Sequence, residues 1–280
     1  MIMSFLLLEM IIGLVAFSIV KTNVHFAEIW TRTFGRYYTM AFSKINEVIP
    51  FSLTEFSAYV VIISCIMYLG WGFSLLGNKR VWDFIHRLMM IALITMGSVL
   101  MYNLSVGAAY HRAELPLETY SGEIKKEDFK SIATYFVEDY NSCVTQLGVD
   151  EKGEIKMPYT KEHMIKELML EFDKLDDKYY NPYVASPKAI QTSGLMTANS
   201  IVGMYFGVLG EVNYNTYSTN AELPFYIAHE LCHAKGVMRE DDAQLLAFYV
   251  LATSDDPLFR YSAYWMTLDR LIEEIGRAHV

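Results

Sequence analysis

Three apolar stretches in the first 104 residues constrain this chain more than any other feature. Met1 to Val20 is interrupted only by Glu9, while Phe56 to Leu76 and Leu88 to about Leu104 carry no charged residue. A helix of about 20 apolar residues spans the ~30 Å hydrocarbon core of a bilayer. Buried core helices of a soluble protein are the competing reading, but these runs are too long and too clean for it. None has the small-residue cleavage site of a secretory signal, so all three are predicted to be transmembrane helices, at about 1–20, 56–76 and 88–104. The composition agrees: 53% of the residues are apolar and only 20% charged.

The short loop between the second and third stretches, GNKRVWDFIHR, sets a predicted orientation. Lys79, Arg80 and Arg87 outnumber the single acid, Asp83. Basic residues in short loops stay in the cytoplasm. The N-terminus and this loop are then expected inside, with the loop from Lys21 to Glu55 and everything after the third helix outside.

Beyond residue 104 the chain reads as a water-exposed domain. NLSVGAAYHRAELPLETYSGE is expected to be an extended connector. In the segment that follows, Phe129, Ile132, Phe136, Tyr140, Cys143 and Leu147 recur at helical spacing. Met164, Ile165, Leu168, Phe172 and Leu175 repeat the pattern, with His163 on the solvated side. SIVGMYFGVLGEVNYN, rich in β-branched and aromatic residues, reads as one or two strands. The net charge of −9 and the absence of a basic run interleaved with aromatics argue against a nucleic-acid partner. Cys65, Cys143 and Cys232 do not make a disulfide framework.

The segment PFYIAHELCHAKGVMREDDAQ, Pro224 to Gln244, carries the chemistry. Pro224 opens a predicted helix and Gly236 ends it. His229 and His233 lie four residues apart, on one helix face, where they can share a metal ion. Glu230 follows the first histidine and can serve a water as general base, the logic of the H-E-x-x-H zinc peptidases. Two satisfied histidines on an ordinary helix are the bland alternative. Against it stand the apolar flanks and the acids that arrive where a third ligand is needed. Glu240, Asp241 and Asp242 all open the next predicted helix, EDDAQLLAFYVLA, and any of them can cap it instead. A metzincin would need His or Asp at position 239, which is Arg239.

LPFYIAHELCHAKGVMREDDAQLLAFYVLATSDDPLFRYSAYW resembles a bacterial membrane family known as domain of unknown function 3810, whose pattern here is lPFtiAHElAHqrGfarEdEANflaYLac followed by frYSgY. VIPFSLTEF and GVLGEVNYN are similar to other marks of that family, and the resemblance runs from about residue 25 to 272. The family is placed among gluzincin-like zinc metallopeptidases. Membership would imply an α+β, mostly helical fold: a membrane domain over 1–104, then a zincin-like extracytoplasmic domain over 105–273. It would also imply zinc, a peptide or protein substrate, His229 and His233 as ligands, Glu230 as catalytic base and Asp242 as third ligand. Asp242 stands where the family carries a longer glutamate, and Gln244 replaces its asparagine. Gluzincin-like clefts hold a peptide by strand addition, so SIVGMYFGVLGEVNYN is expected at an edge beside the site helix, with Glu211 and Asn213 near the cleft rim. Tyr226, Tyr261 and Tyr264 are candidate electrophiles by chemistry alone.

The last seven residues, EIGRAHV, are those encoded by a common sequencing-adapter start. Residues 274–280 are therefore expected to be a read-through tail, which removes His279 from the candidate ligands. Two further functions compete with a membrane-anchored peptidase: an inactive zinc-binding receptor, and an intramembrane protease. The site helix is too short and its flanks too polar for the last.

Overall fold

The structure, a computed structural model, describes residues 2–78, 80–115 and 126–277. The chain forms two units. One comprises Met1–Ala113, Tyr183–Ala185 and Phe206–Glu211; the other comprises Glu114–Pro182, Ser186–Tyr205 and Val212–Val280.

The first unit is helical. It contains α1 (Ile2–Val20), α2 (Val24–Trp30), a π-helical turn (Thr31–Gly35), α3 (Arg36–Glu47), α4 (Leu53–Gly77) and α5 (Val81–Tyr102). Three helices are long and apolar enough to cross a membrane: Ile2–Val20, Leu53–Gly77 and Val81–Gly107. Each covers a predicted stretch, and α5 starts seven residues before Leu88 because Val81 and Trp82 are themselves good membrane-facing residues. α5 packs against both α1 and α4. Close approach depends on Gly72, where an added Cβ would sit 3.3 Å from the Phe84 ring.

Residues 103–111, expected to be extended, continue α5 as a π-helical turn (Asn103–Gly107) and a 3₁₀ turn (Ala109–His111). The Trp30 indole N–H donates to the Leu104 carbonyl at 2.8 Å, supplying a backbone partner there. Residues 112–115 leave the helix, Arg112 in an extended conformation; the rest of that connector, 116–123, lies outside the described residues, as do the last three residues of the expected tail. Much of the loop from Lys21 to Glu55 is helical as well. Phe26, Trp30, Phe34, Tyr38 and Phe42 recur every four residues, and each ring packs on the next at 4.6–5.9 Å between centroids.

Glu211 belongs to this unit. Its buried carboxylate accepts the Leu53 and Thr54 backbone N–H groups at 3.0 and 2.7 Å and the Thr54 hydroxyl at 2.6 Å. A carboxylate on the free N–H groups of a helix start satisfies donors that have no partner within the helix and complements its dipole. Glu211 therefore caps α4; it is 1% exposed and is no rim residue.

The second unit holds α6 (Lys126–Leu147), α7 (Lys161–Phe172), β1 (Lys188–Ile190), α8 (Ser193–Ala198), all but the last residue of β2 (Gly203–Phe206), all but the first of β3 (Glu211–Asn215), α9 (Leu223–Ala234), α10 (Glu240–Ala252) and α11 (Pro257–Arg277). The protein is thus mostly helical with one small sheet. The strand order is β1-β3-β2, with β1 parallel to β3 and Lys188 opposite Asn213. SIVGMYFGVLGEVNYN therefore supplies an edge strand, β2, and a central one, β3. The central position buries Asn213 completely, which corrects its expected place at a rim. α9 packs against α7, α10 and α11. Leu168, Phe172, Phe225, Ile227, Leu231, Leu246 and Phe259 are at most 1% exposed around it, each contributing about 1.5–3 kcal/mol of apolar burial. A helix clamped on so many sides gives rigid support to any side chain it presents.

Candidate metal centre

Pro224 lies in the first turn of α9, where its missing N–H is no loss. The helix ends in a Schellman turn. Gly236 takes φ +95°, its N–H donates to the His233 carbonyl at 3.0 Å, and the Val237 N–H donates back to the Cys232 carbonyl at 3.0 Å. Glycine is needed because that φ strains any side chain. The turn reverses the chain within three residues and starts α10 at Glu240.

This reversal brings Glu240 onto the two histidines. His229 Nε2 lies 3.0 Å from Glu240 Oε2, and His233 Nε2 lies 3.6 Å from Glu240 Oε1. The imidazole rings are 4.8 Å apart and nearly perpendicular. Among the described residues, His229, His233 and Glu240 form a group whose ligand atoms all lie within 4.8 Å of one another. His233 is 7% exposed and its Nδ1–H donates to the Val237 carbonyl at 2.8 Å. A carbonyl can only accept, so Nδ1 carries a proton, and in the neutral ring the Nε2 lone pair points at Glu240. Burial foremost, and the neighbouring His229, hold the His233 imidazole below its ordinary pKa and so favour the neutral ring.

Glu230 is buried and accepts the Tyr205 backbone N–H of β2. Burial pushes its carboxyl up to about 8; the Tyr205 N–H opposes this, and the charge of Glu240 adds to it. β2 passes close enough that a Cβ on Gly203 would lie 2.7 Å from Glu230 Cγ and 3.0 Å from Oε1. Glycine at 203 is thus what lets the strand run beside the carboxylate.

The model of the family described as "Protein of unknown function (DUF3810)" matches residues 30–279. The chain belongs to this family. No curated protein and no solved structure matches it. The DUF3810 match begins within α2 and takes in both α4 and α5 and the whole turn from α9 to α10.

In this DUF3810 chain Asp242 lies outside the His229–His233–Glu240 group. Its Oδ2 pairs with Arg239 Nε at 3.4 Å, and Arg239 also holds Asp241 at 2.8 Å. Positions 240 and 242 differ by about 200° around a helix, which sets the two carboxylates on different sides of α10. Glu240 shares its face with Ala243, Ala247 and Leu251, all fully buried, whereas Asp242 shares a side with Leu245 and Tyr249, which are 43% and 46% exposed. The alanines at 243 and 247 were the signal for Glu240: a small-residue stripe lets α10 approach α9, and the acid at its head meets the histidines.

The remaining candidates have other roles. The Tyr264 hydroxyl donates to Asp139 at 2.8 Å, and Tyr140 donates to Tyr261 at 3.4 Å with their rings stacked. Burial foremost raises both the Tyr261 and Tyr264 phenols, as well as Tyr226, above their ordinary range. Cys232 is fully buried and its thiol is pushed well up by burial, which makes it a packing residue. His163 is exposed and pairs with Glu167.

The donor types are ones that zinc takes: His229 Nε2 faces one carboxylate oxygen of Glu240 at 3.0 Å and His233 Nε2 faces the other at 3.6 Å. Two imidazole nitrogens and one carboxylate leave a fourth position open, as in catalytic zinc sites. Glu240 is 74% exposed, so the group opens to solvent on that side.

Proposed function

We propose that the protein is a membrane-anchored, zinc-dependent peptidase that hydrolyses peptide bonds outside the cytoplasm. The observation that carries this reading is the contact between His233 Nε2 and Glu240 Oε1. With Nδ1 donating to Val237, Nε2 of the neutral ring is an acceptor, and it faces a second acceptor 3.6 Å away. A cation between two such facing lone pairs would relieve their repulsion.

His229, His233 and Glu240 would hold the ion. When bound, zinc supplies Lewis-acid polarisation of the scissile carbonyl. Glu230 takes a proton from the attacking water and returns it to the leaving amine. For this it must be ionised, and a nearby dication favours that form against the burial that otherwise keeps the carboxyl neutral. The Tyr205 N–H holds the carboxylate in place, and Gly203 leaves room for it. β2, an edge strand, offers main-chain groups to an extended peptide beside Glu230. The membrane helices α1, α4 and α5 anchor the protein, with the α4–α5 turn in the cytoplasm by its Arg80 and Arg87.

One experiment tests activity and orientation together. Membrane vesicles containing the full chain are prepared right-side-out and inside-out and given a peptide that cannot cross the bilayer. Hydrolysis is expected only right-side-out, lost on chelation and restored by zinc. Hydrolysis confined to inside-out vesicles would reverse the orientation. Zinc retained without hydrolysis in either preparation, even after detergent, would point to a zinc-binding receptor.

Gly203→Ala places a methyl group against the Glu230 carboxyl. A shift of about an ångström at a catalytic group lowers rates by up to about a hundredfold. Hydrolysis is expected to fall while zinc content stays unchanged. Wild-type rates in this variant would mean that β2 does not position Glu230.

A further inference from the structure

Arg87 is the cation of the α4–α5 hairpin that the anchor role leaves unused. Arg80 engages the nearby acid: its Nε lies 2.6 Å from Asp83 Oδ2. Arg87 has no such partner among the described residues. Its guanidinium lies flat on the Trp71 ring, 3.3 Å from the centroid, with Tyr68 at 4.8 Å. Its Nε is buried with no hydrogen-bond partner. Its stem packs over Gly72, where an added Cβ would lie 3.6 Å from Arg87 Cδ.

The depth of this group matters. The span Val81–Gly107 has 27 residues, or about 40 Å of helix, against a ~30 Å hydrocarbon core, so about 5 Å extends at each end. Arg87 lies six residues in from Val81, about 9 Å along the axis, just inside the headgroup boundary. A long cation there ordinarily extends toward water. Here the ring stack holds the guanidinium on α4 instead. A cation–π contact neutralises no charge and uses none of the fork of N–H donors at the guanidinium edge. That fork matches a phosphate in a two-point, charge-assisted contact. Trp71, against the guanidinium, and Trp82, about 7.5 Å nearer the start of α5, are 59% and 76% exposed, with rings suited to the headgroup region.

We propose that Arg87, seated on Trp71 and Tyr68, is a binding site for the phosphate of an anionic phospholipid in the leaflet at the α4–α5 turn. The site rests on the membrane reading of α4 and α5 and is independent of the peptidase reading. The lipid phosphate accepts from the guanidinium edge, and its acyl chains run along the apolar faces of the two helices. The net negative charge of the ligand compensates a cation that would otherwise sit uncompensated at the edge of the hydrocarbon.

The test uses the full-length protein in detergent, titrated with phosphatidylglycerol or phosphatidylcholine, with bound lipid counted by native mass spectrometry. Wild type is expected to retain phosphatidylglycerol in preference to phosphatidylcholine. Arg87→Gln should weaken that retention by about tenfold. Arg87→Lys keeps the charge and stem but loses the planar fork, and should fall between the two. Arg80→Gln should match wild type. If Arg87→Gln does not stay folded, the Lys variant decides, and wild-type retention by it overturns the proposal. Equal losses in the Arg80 and Arg87 variants would reduce the site to general surface charge and also overturn it. Complete displacement of the lipid by excess inorganic phosphate would make this a free-phosphate site and refute the lipid assignment.

Discussion

Replacing Glu230 with glutamine is expected to lower peptide hydrolysis by about 10²- to 10⁴-fold, the usual contribution of a general base, with zinc content unchanged. The side chains are nearly identical in size, so the buried pocket beside Gly203 is still filled. The amide oxygen can still accept the Tyr205 N–H, but the amide cannot take a proton from water. Glu230 is not one of the three clustered donors, so the ion should remain. Hydrolysis and zinc content measured on the same preparation separate the two roles. Full activity in this variant would remove Glu230 from the mechanism and leave the histidines as a binding site only.

Much of the site was legible from spacing. A spacing of four from His229 to His233 places them on one face of any helix, and Pro224 and Gly236 bounded α9 because each suits a helix end in a way few residues do. The second helix was read as EDDAQLLAFYVLA, and α10 spans those residues. What the pattern could not resolve was which acid lies beside the histidines. Three acids in a row at a helix start are equally good caps, and the resemblance favoured Asp242. The choice rests on the phase of α10 against α9, set by Ala243, Ala247 and Leu251 and by the left-handed turn at Gly236. Phase of this kind is a tertiary property.

Glu211 and Asn213 were misplaced for a related reason. GEVN has the polarity of an exposed rim, yet β3 is the middle strand of its sheet. The Glu211 carboxylate is consumed by the start of α4, more than 150 residues earlier in sequence. No local pattern announces such a cap. The three long apolar helices, by contrast, follow from composition over a long window, and that signal survives any tertiary arrangement. The helices between Lys21 and Glu55 carried a readable clue, an aromatic residue every four positions from Phe26 to Phe42, which hydropathy averaging conceals.

The ligand set gives the second large effect. His233→Ala is expected to remove most of the zinc, because a site with three protein ligands cannot spare one. The neighbouring carboxylates discriminate more sharply. Glu240→Ala removes the carboxylate whose two oxygens face the two imidazoles and should also strip the site. Asp242→Ala removes a partner of Arg239 on another side of α10 and should leave the zinc in place, the reverse of what the family pattern implied. The most direct measurement is zinc per chain in purified full-length protein and in the Glu240→Ala and Asp242→Ala variants after equal exposure to zinc. One ion per chain in wild type, loss with Glu240→Ala and retention with Asp242→Ala is the expected result. Wild-type protein that takes up no zinc, or zinc lost with Asp242→Ala and kept with Glu240→Ala, would contradict it.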